Sequence, residues 1–138
     1  MATQAWNTAH TAGVEVIDHQ HGVLLDALNE LRHALKIGAD CESVRAQLNR
    51  VTELARLHLD SEERLLAQYE FPALEAYQAA HEQLLRTLQA HPVTCDRLSQ
   101  HKQSDSVYAL AEYLRGWFTA HTEAVHEYGS WLTAHGVQ

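Results

Sequence analysis

The chain has 138 residues, a formal net charge of −8 with histidine counted as neutral, two prolines and six glycines. This length suits a single domain, residues 1–138, that buries its own hydrophobic core. The acidic balance argues against nucleic-acid binding, which normally needs a basic patch, and the sequence has no apolar run of about 18 residues that would span a membrane.

Good helix formers such as Ala, Leu, Glu, Gln and Arg are abundant, so the sequence predicts an all-α fold after an irregular N-terminal arm, residues 1–13. The helices are predicted, in chain order, at 14–37, 41–69, 72–91 and 105–134. Because the connections are mostly short, these helices are expected to form an up-down-up-down four-helix bundle.

Residues with special backbone preferences predict the helix boundaries. Gly38 suits a helix C-terminus, and Asp40 suits the N-cap of the second helix. Pro72 suits the first turn of the third helix. The fourth helix is expected to begin at an N-cap provided by Ser104 or Asp105.

Each predicted helix carries apolar residues at spacings of three or four, which indicates one buried face per helix. The residues expected in the core are Leu24, Leu28, Leu31, Leu35, Val44, Leu48, Val51, Ala55, Leu65, Tyr69, Leu74, Leu84, Leu88, Val107, Leu110, Leu114, Trp117, Val125 and Leu132.

Polar residues interrupt these apolar stripes. Each helix places one histidine among its core positions, and the second helix adds a glutamate one turn later. These residues are His21, His58, Glu62, His81 and His121. A buried polar group without a partner costs about 2–7 kcal/mol. In an up-down bundle the four histidines lie about 15–26 Å from the same end, so they form one layer that a metal ion would gather into one site. The alternative is four separately hydrogen-bonded core histidines.

These residues belong to motifs through which the sequence resembles the bacterial hemerythrin family, and the resemblance extends over nearly its whole length. The family has a Trp near the N-terminus and then the motifs I-D-x-Q-H, H-F-x-x-E-E, Y-P-x4-H-x3-H and W-L-x-x-H-x4-D. The matching parts of this chain are Trp6, Ile17–His21, His58–Glu63, Phe71–His81 and Trp117–His126. Each motif alone is weak, but together they are specific.

The resemblance implies a carboxylate-bridged pair of iron ions, with an oxo or hydroxo bridge, that binds dioxygen or another small diatomic or anionic ligand. It implies that His21 and His58 bind one iron. His81 and His121 would bind the other iron, and Glu62 would bridge the two.

Two positions depart from the family pattern. Tyr77 stands where the family has a further histidine, and His126 stands where it has a second bridging aspartate. Both are expected to bind metal, Tyr77 as a phenolate that restores the lost negative charge and His126 as a terminal ligand. The competing interpretations are a hydrogen-bonded core tyrosine and a surface histidine. Glu123 and Glu127 are candidates for a substitute bridge.

Further side chains are expected to surround the centre. Trp6, Trp117 and Phe118 would line an apolar pocket beside the metal. The residues interpreted as supporting the ligands or as solvated are Asp18, His19, Gln20 and Glu63.

These features favour a non-enzymatic iron protein that binds dioxygen or a related ligand, or senses oxygen or redox state, over dedicated oxygen transport. The alternatives are a di-iron enzyme that acts on peroxide, a storage or mononuclear site for one iron or another divalent metal, and a metal-free helical interaction module. The cytoplasm is the expected location, because the N-terminus lacks signal-peptide features. Cys41 and Cys95 lie outside any CxxC spacing and are expected to be free thiols, with a redox disulfide as the alternative.

Overall fold

A computed structural model describes residues 12–90 and 100–138. At residues 100–106 and 126 it describes the backbone but not the side chains. The regular structure in these ranges consists of α1 (Glu15–Lys36), α2 (Cys41–Gln68), α3 (Leu74–Gln89) and α4 (Gln100–Ala134). Because α1 packs against α2 and α4, and α2 packs against α3, the predicted all-α four-helix bundle is confirmed. None of the helices in the described ranges is long and apolar enough to cross a membrane.

Two of the predicted boundaries are wrong. The fourth helix begins at Gln100, so Ser104 and Asp105 lie inside it and are not its N-cap. Neither glycine nor proline stands in this stretch, so nothing in the sequence interrupts the helix there. Pro72 precedes the third helix, which begins at Leu74, and does not lie in its first turn.

The connection between α1 and α2 is confirmed as predicted. Gly38 has a φ of 68°, and its N–H donates to Leu35 O while the N–H of Ala39 donates to Ala34 O. This pair of bonds is the Schellman motif that satisfies the last carbonyls of a helix. The Asp40 side chain then accepts a hydrogen bond of 2.8 Å from a backbone N–H in the first turn of α2.

The end of α2 repeats this motif with a glutamate in the left-handed position. Glu70 has a φ of 56°, and the N–H of the next residue, Phe71, donates to Leu66 O at 2.9 Å. A non-glycine residue in this conformation costs on the order of 1 kcal/mol or more. We therefore expect Glu70→Gly to raise the free energy of unfolding by about 1 kcal/mol, as measured by equilibrium urea denaturation.

Gly38→Ala is the matched control for this prediction. Gly38 has open space for a Cβ atom, so only its φ of 68° opposes the substitution. This variant is expected to lose about as much stability as Glu70→Gly gains. A loss of stability in Glu70→Gly would contradict the prediction.

The hydrophobic core is divided into two clusters with a polar layer between them. On α1, Ile17 belongs to one cluster and Leu24 to the other, and His21 lies between them. On α4 the order along the chain is reversed, with Phe118 in the cluster of Leu24, Val125 in the cluster of Ile17, and His121 between them. The predicted core residues that are buried are Leu24, Leu28, Leu31, Leu35, Val44, Leu48, Val51, Ala55, Leu84, Leu88, Val107, Leu110, Leu114, Val125 and Leu132. Those that pack against the clusters while partly buried are Leu65, Tyr69, Leu74 and Trp117.

The described part of the N-terminal arm is held at the first turn of α1. The Asp18 carboxylate accepts hydrogen bonds from the N–H groups of Ala12 at 2.6 Å and Gly13 at 3.1 Å. A Cβ atom at Gly129 of α4 would overlap the backbone of Ala12, so the glycine lets the arm approach the helix closely. Residues 1–11 of the predicted arm lie outside the described residues.

The expectation of free thiols is wrong for Cys41, which is disulfide-bonded. Cys95, the only other cysteine in the sequence, lies outside the described residues. The spacing of two cysteines along a chain does not reveal whether their Cα atoms come within about 4.4–6.8 Å, which a disulfide requires. The cysteines therefore no longer support a reducing compartment.

Candidate metal centre

Three helices bring four ligand atoms to one point in the polar layer. These atoms lie within 4.8 Å of one another and belong to His21, His58, Glu62 and His121, all of them buried. His58 Nε2 is 2.8 Å from His21 Nε2 and 3.1 Å from His121 Nε2. Glu62 Oε2 is 2.6 Å from His58 Nε2 and 3.1 Å from His121 Nε2. The spacing predicted from helical periodicity thus produces a compact group of donors.

This donor set fits a transition-metal ion. Four ligands at about 2.1 Å from a tetrahedral ion are about 3.4 Å apart, and five of the six separations here lie between 2.6 Å and 3.9 Å. A proton bridges only one pair of these nitrogens at a time, whereas a metal ion binds the lone pairs of all three. Imidazoles together with one carboxylate suit iron and zinc.

A hydrogen bond from Nδ1 to Gln20 fixes the orientation of the His58 ring. Its Nδ1 is 3.0 Å from Gln20 Oε1, and the amide nitrogen of Gln20 donates to Ser61 Oγ at 3.0 Å. Since the amide oxygen can only accept, Nδ1 carries the proton and donates it. The Nε2 lone pair of His58 therefore points towards the other ligand atoms, because Gln20 holds the opposite ring nitrogen as the partners of metal-binding histidines do.

His81 of α3 faces the other oxygen of Glu62. Its Nε2 is 3.8 Å from Glu62 Oε1, and its Nδ1 is 2.9 Å from Glu63 Oε1, to which it donates. Both His81 Nε2 and Glu62 Oε1 are buried and have no hydrogen-bond partner. Glu62 therefore presents one oxygen to three imidazoles and the other oxygen to a fourth. This grouping puts His121 with His21 and His58, whereas the resemblance pairs it with His81.

The electrostatics favour the protonation states that metal binding needs. Burial by itself would raise the pKa of Glu62, but the His121 and His58 imidazoles lower it well below its usual range, so the carboxylate is ionised. Burial lowers the pKa of His81, against the opposing effect of Glu62 and Glu63, so its ring is neutral. An ionised carboxylate and a neutral imidazole are the forms that bind metal.

Tyr77 has a backbone partner. Its hydroxyl donates to the carbonyl oxygen of Ala124 in α4 at 3.0 Å. Burial, followed by the charges of Glu62 and Glu127, raises the pKa of Tyr77 well above its usual range, so the phenol keeps its proton. Its ring also contacts the edge of His81, with ring centroids 6.0 Å apart.

Two of the three predicted pocket residues touch the imidazoles. Trp117 stacks on His121 with ring centroids 4.7 Å apart, and Phe118 packs edge-on against His21 at 6.1 Å. Trp6 lies outside the described residues.

The remaining predicted residues differ in their positions relative to the cluster. Glu123 and Glu127 are exposed, and the carboxylate buried among the histidines is that of Glu62. The side chain of His126 lies outside the described residues. Among the residues predicted to support the ligands, Gln20 and Glu63 bind imidazoles, Asp18 holds the arm, and His19 is exposed.

Tyr128 is a residue beside this site that the sequence reasoning missed. Its side chain is fully buried, and burial, followed by the charge of Glu62, raises the pKa of Tyr128 well above its usual range. The signal was present in the sequence, because Tyr128 lies three residues after Val125 and four before Leu132, on the same helix face. Its aromatic ring made it look like an ordinary core residue.

Comparisons with known proteins show the family and the fold of this chain. A family model for the hemerythrin HHE cation binding domain matches residues 12–135. A bacteriohemerythrin from Stenotrophomonas maltophilia (strain R551-3) is 23% identical over 145 residues, which cover 96% of this chain and 94% of that relative. Two crystal structures of hemerythrin mutants are similar to this chain with a TM-score of 0.76 at 21% and 22% identity, covering 94% of this chain and 97% of each. These structural similarities support the fold.

Proposed function

Since the chain belongs to the hemerythrin HHE cation-binding family, we propose that it holds two iron ions and uses them to bind dioxygen or a related small ligand, or to sense oxygen or redox state. The observation that carries the proposal is the position of Glu62. Its two oxygens face different imidazoles, with Oε2 at 3.1 Å from His121 Nε2 and Oε1 at 3.8 Å from His81 Nε2. A carboxylate in this position suits a bridge between two ions.

The proposed ligands divide between the two oxygens of Glu62. On the Oε2 side, the proposed ligands of one ion are His21, His58 and His121. On the Oε1 side, His81 is the proposed ligand of the second ion, and its unpaired Nε2 supports this assignment. Among the described residues, the second ion thus has fewer proposed protein ligands than the first. We propose that the small ligand binds to this second ion.

For Tyr77 we propose the role of a hydrogen-bonded core tyrosine. Binding iron as a phenolate would require the hydroxyl to lose both its proton and its bond to Ala124 O. His126 is retained as a candidate terminal ligand of the second ion on the family spacing alone.

The surrounding residues control access to the centre. Iron held there would supply open coordination positions and a change of oxidation state. Trp117 and Phe118 lie directly against two of the imidazoles and keep water away from this side. Gln20 and Glu63 fix the ring orientations of His58 and His81, so the donors are positioned before an ion arrives.

A centre with one metal ion is the second candidate. The observation that favours it is the gathering of three imidazoles at Glu62 Oε2, which leaves His81 as the single described imidazole at Oε1. Such a protein would store or carry iron, or another divalent metal, without the paired centre.

The test is to load the purified protein with Fe(II) under anaerobic conditions, measure iron per chain, and record the visible spectrum before and after adding dioxygen. We expect two iron ions per chain and a spectrum that changes with dioxygen. One ion per chain would support the second candidate, and an unchanged spectrum would contradict dioxygen binding.

Tyr77→Phe tests the role proposed for that residue in the same experiment. We expect unchanged iron content and no loss of a visible band, because the hydroxyl is bonded to the backbone. Loss of a broad phenolate-to-iron band in this variant would contradict the core role and restore Tyr77 as a ligand.

A further inference from the structure

His58 and His81 face different oxygens of Glu62, and each ring has a hydrogen-bond acceptor on its opposite side. His58 Nδ1 donates to Gln20 Oε1 at 3.0 Å. His81 Nδ1 donates to Glu63 Oε1 at 2.9 Å. The Nε2 atoms of the two rings lie 2.6 Å from Glu62 Oε2 and 3.8 Å from Glu62 Oε1, respectively. The two acceptors therefore match in geometry and differ in charge, because an amide is neutral and a carboxylate is negative.

Both acceptors are held in position. The amide nitrogen of Gln20 donates to Ser61 Oγ at 3.0 Å, which fixes the end of the amide that faces His58, so the acceptor there is the neutral oxygen. The Glu63 side chain is 30% exposed, whereas that of His81 is 3% exposed. Because a partly buried charge is screened less than a fully exposed one, the negative charge of Glu63 acts on the His81 ring at close range.

The charge of the acceptor changes what an imidazole offers to a metal ion. A hydrogen bond to a carboxylate is about twice as strong as one to a neutral group, and it makes the ring a more basic ligand that donates more electron density. Electron donation stabilises Fe(III) relative to Fe(II), and hydrogen bonding to the ligands is one of the ways in which a protein sets the reduction potential of iron. An iron ion bound by His81 should therefore be harder to reduce than it would be if the acceptor at position 63 were neutral.

We propose that Glu63 is a positioning residue that acts through His81 to lower the reduction potential of the iron on the Oε1 side, whereas the neutral Gln20 has no such effect on the Oε2 side. The redox step is the gain of one electron by one Fe(III), supplied by an external one-electron reductant, and it makes or breaks no bond in the protein. This inference rests on the proposed function, since it needs iron at both positions. In the fully reduced protein, Glu63 makes the ion that is proposed to bind the small ligand a better electron donor.

The test compares Glu63→Gln with the wild type after iron loading. Glutamine can accept the same hydrogen bond from His81 through its amide oxygen, so the ring keeps its orientation and only the charge is lost. Reduction potentials are measured by an anaerobic titration with dithionite and redox mediators, followed in the visible spectrum, and iron per chain is measured by elemental analysis. We expect one reduction step to rise by about 59 mV or more, which is a tenfold change in the equilibrium constant for one electron, while the iron content stays at two ions per chain.

Gln20→Glu is the reciprocal variant, because it places a carboxylate at the Nδ1 side of His58. We expect it to shift a reduction potential in the opposite direction, downwards. Asp60→Asn is the matched control. It removes a carboxylate from the same helix, but the Asp60 side chain is 56% exposed and pairs with Arg64 at 3.1 Å, so both potentials are expected to stay the same.

Unchanged potentials in Glu63→Gln with both ions present would overturn the inference. An equal shift in Asp60→Asn would also overturn it, by assigning the effect to the overall charge of the protein. So would the loss of one ion in Glu63→Gln, which would assign the Glu63 charge to holding the metal. A wild-type protein that binds fewer than two iron ions per chain would overturn the proposed function itself.

Discussion

Replacing Glu62 with alanine is expected to reduce the iron content from two ions per chain to one or none. Glu62 is fully buried and is the carboxylate in the group of donors that also includes His21, His58 and His121. Loss of a group that only hydrogen-bonds a metal ligand typically weakens metal binding about 10–100-fold. Removing a direct ligand that faces both groups of imidazoles should therefore cost more than about 100-fold in affinity. Elemental analysis after iron loading and desalting measures this effect.

Glu63→Ala and Glu53→Ala provide graded controls. Glu63 accepts the Nδ1–H of His81, so its loss is expected to weaken only the second ion, by about 10–100-fold. Glu53 is an exposed residue that pairs with Arg56, and its replacement should leave metal content unchanged. Two iron ions per chain in Glu62→Ala would show that the bridge assignment is wrong.

The polar layer was predictable because helical periodicity fixes which residues share a face. His21 interrupts the stripe that contains Leu24 and Leu28, and the structure places it at the boundary between the two core clusters. The same argument located the other three histidines and Glu62. Such residues stand out because a polar side chain at a core position needs a partner.

The partners of individual polar atoms were not predictable from the sequence. Tyr77 stands where the hemerythrin family has a histidine, which made it a candidate ligand, but the direction of its hydroxyl depends on the neighbouring helix that supplies Ala124 O. The same limit hid Tyr128, whose ring continues an apolar stripe and whose hydroxyl is buried in the bundle. The disulfide at Cys41 is also a consequence of distance in space, which spacing along the chain does not fix.

Removing the metal is expected to lower the stability of the protein substantially. Ions that bind the folded state and not the unfolded chain stabilise it by about 4 kcal/mol when their free concentration is about 1,000 times the dissociation constant. For a chain of this size the corresponding decrease in the melting temperature on chelation is about 10 °C or more. Differential scanning calorimetry of the iron-loaded and chelated protein, both with the disulfide intact, measures the difference.

The Glu62→Ala variant is the control for chelation. Because it is expected to bind little iron, its melting temperature should be nearly the same with and without chelator, and restoring iron to the chelated wild type should restore its original value. Equal melting temperatures for the loaded and chelated wild type would contradict the prediction.

The physical reason for the expected loss lies in the layer between the two core clusters. Glu62 Oε1 and His81 Nε2 are buried and have no hydrogen-bond partner in the protein, and each such group costs about 1–3 kcal/mol unless a metal ion binds it. Apolar residues at these positions would make a more stable metal-free bundle. The metal offsets this cost by satisfying all the donors at once, so metal affinity and folding stability are two measures of the same interactions. A variant that improves the metal-free stability by making Glu62 or His81 apolar should therefore lose metal binding in the same step.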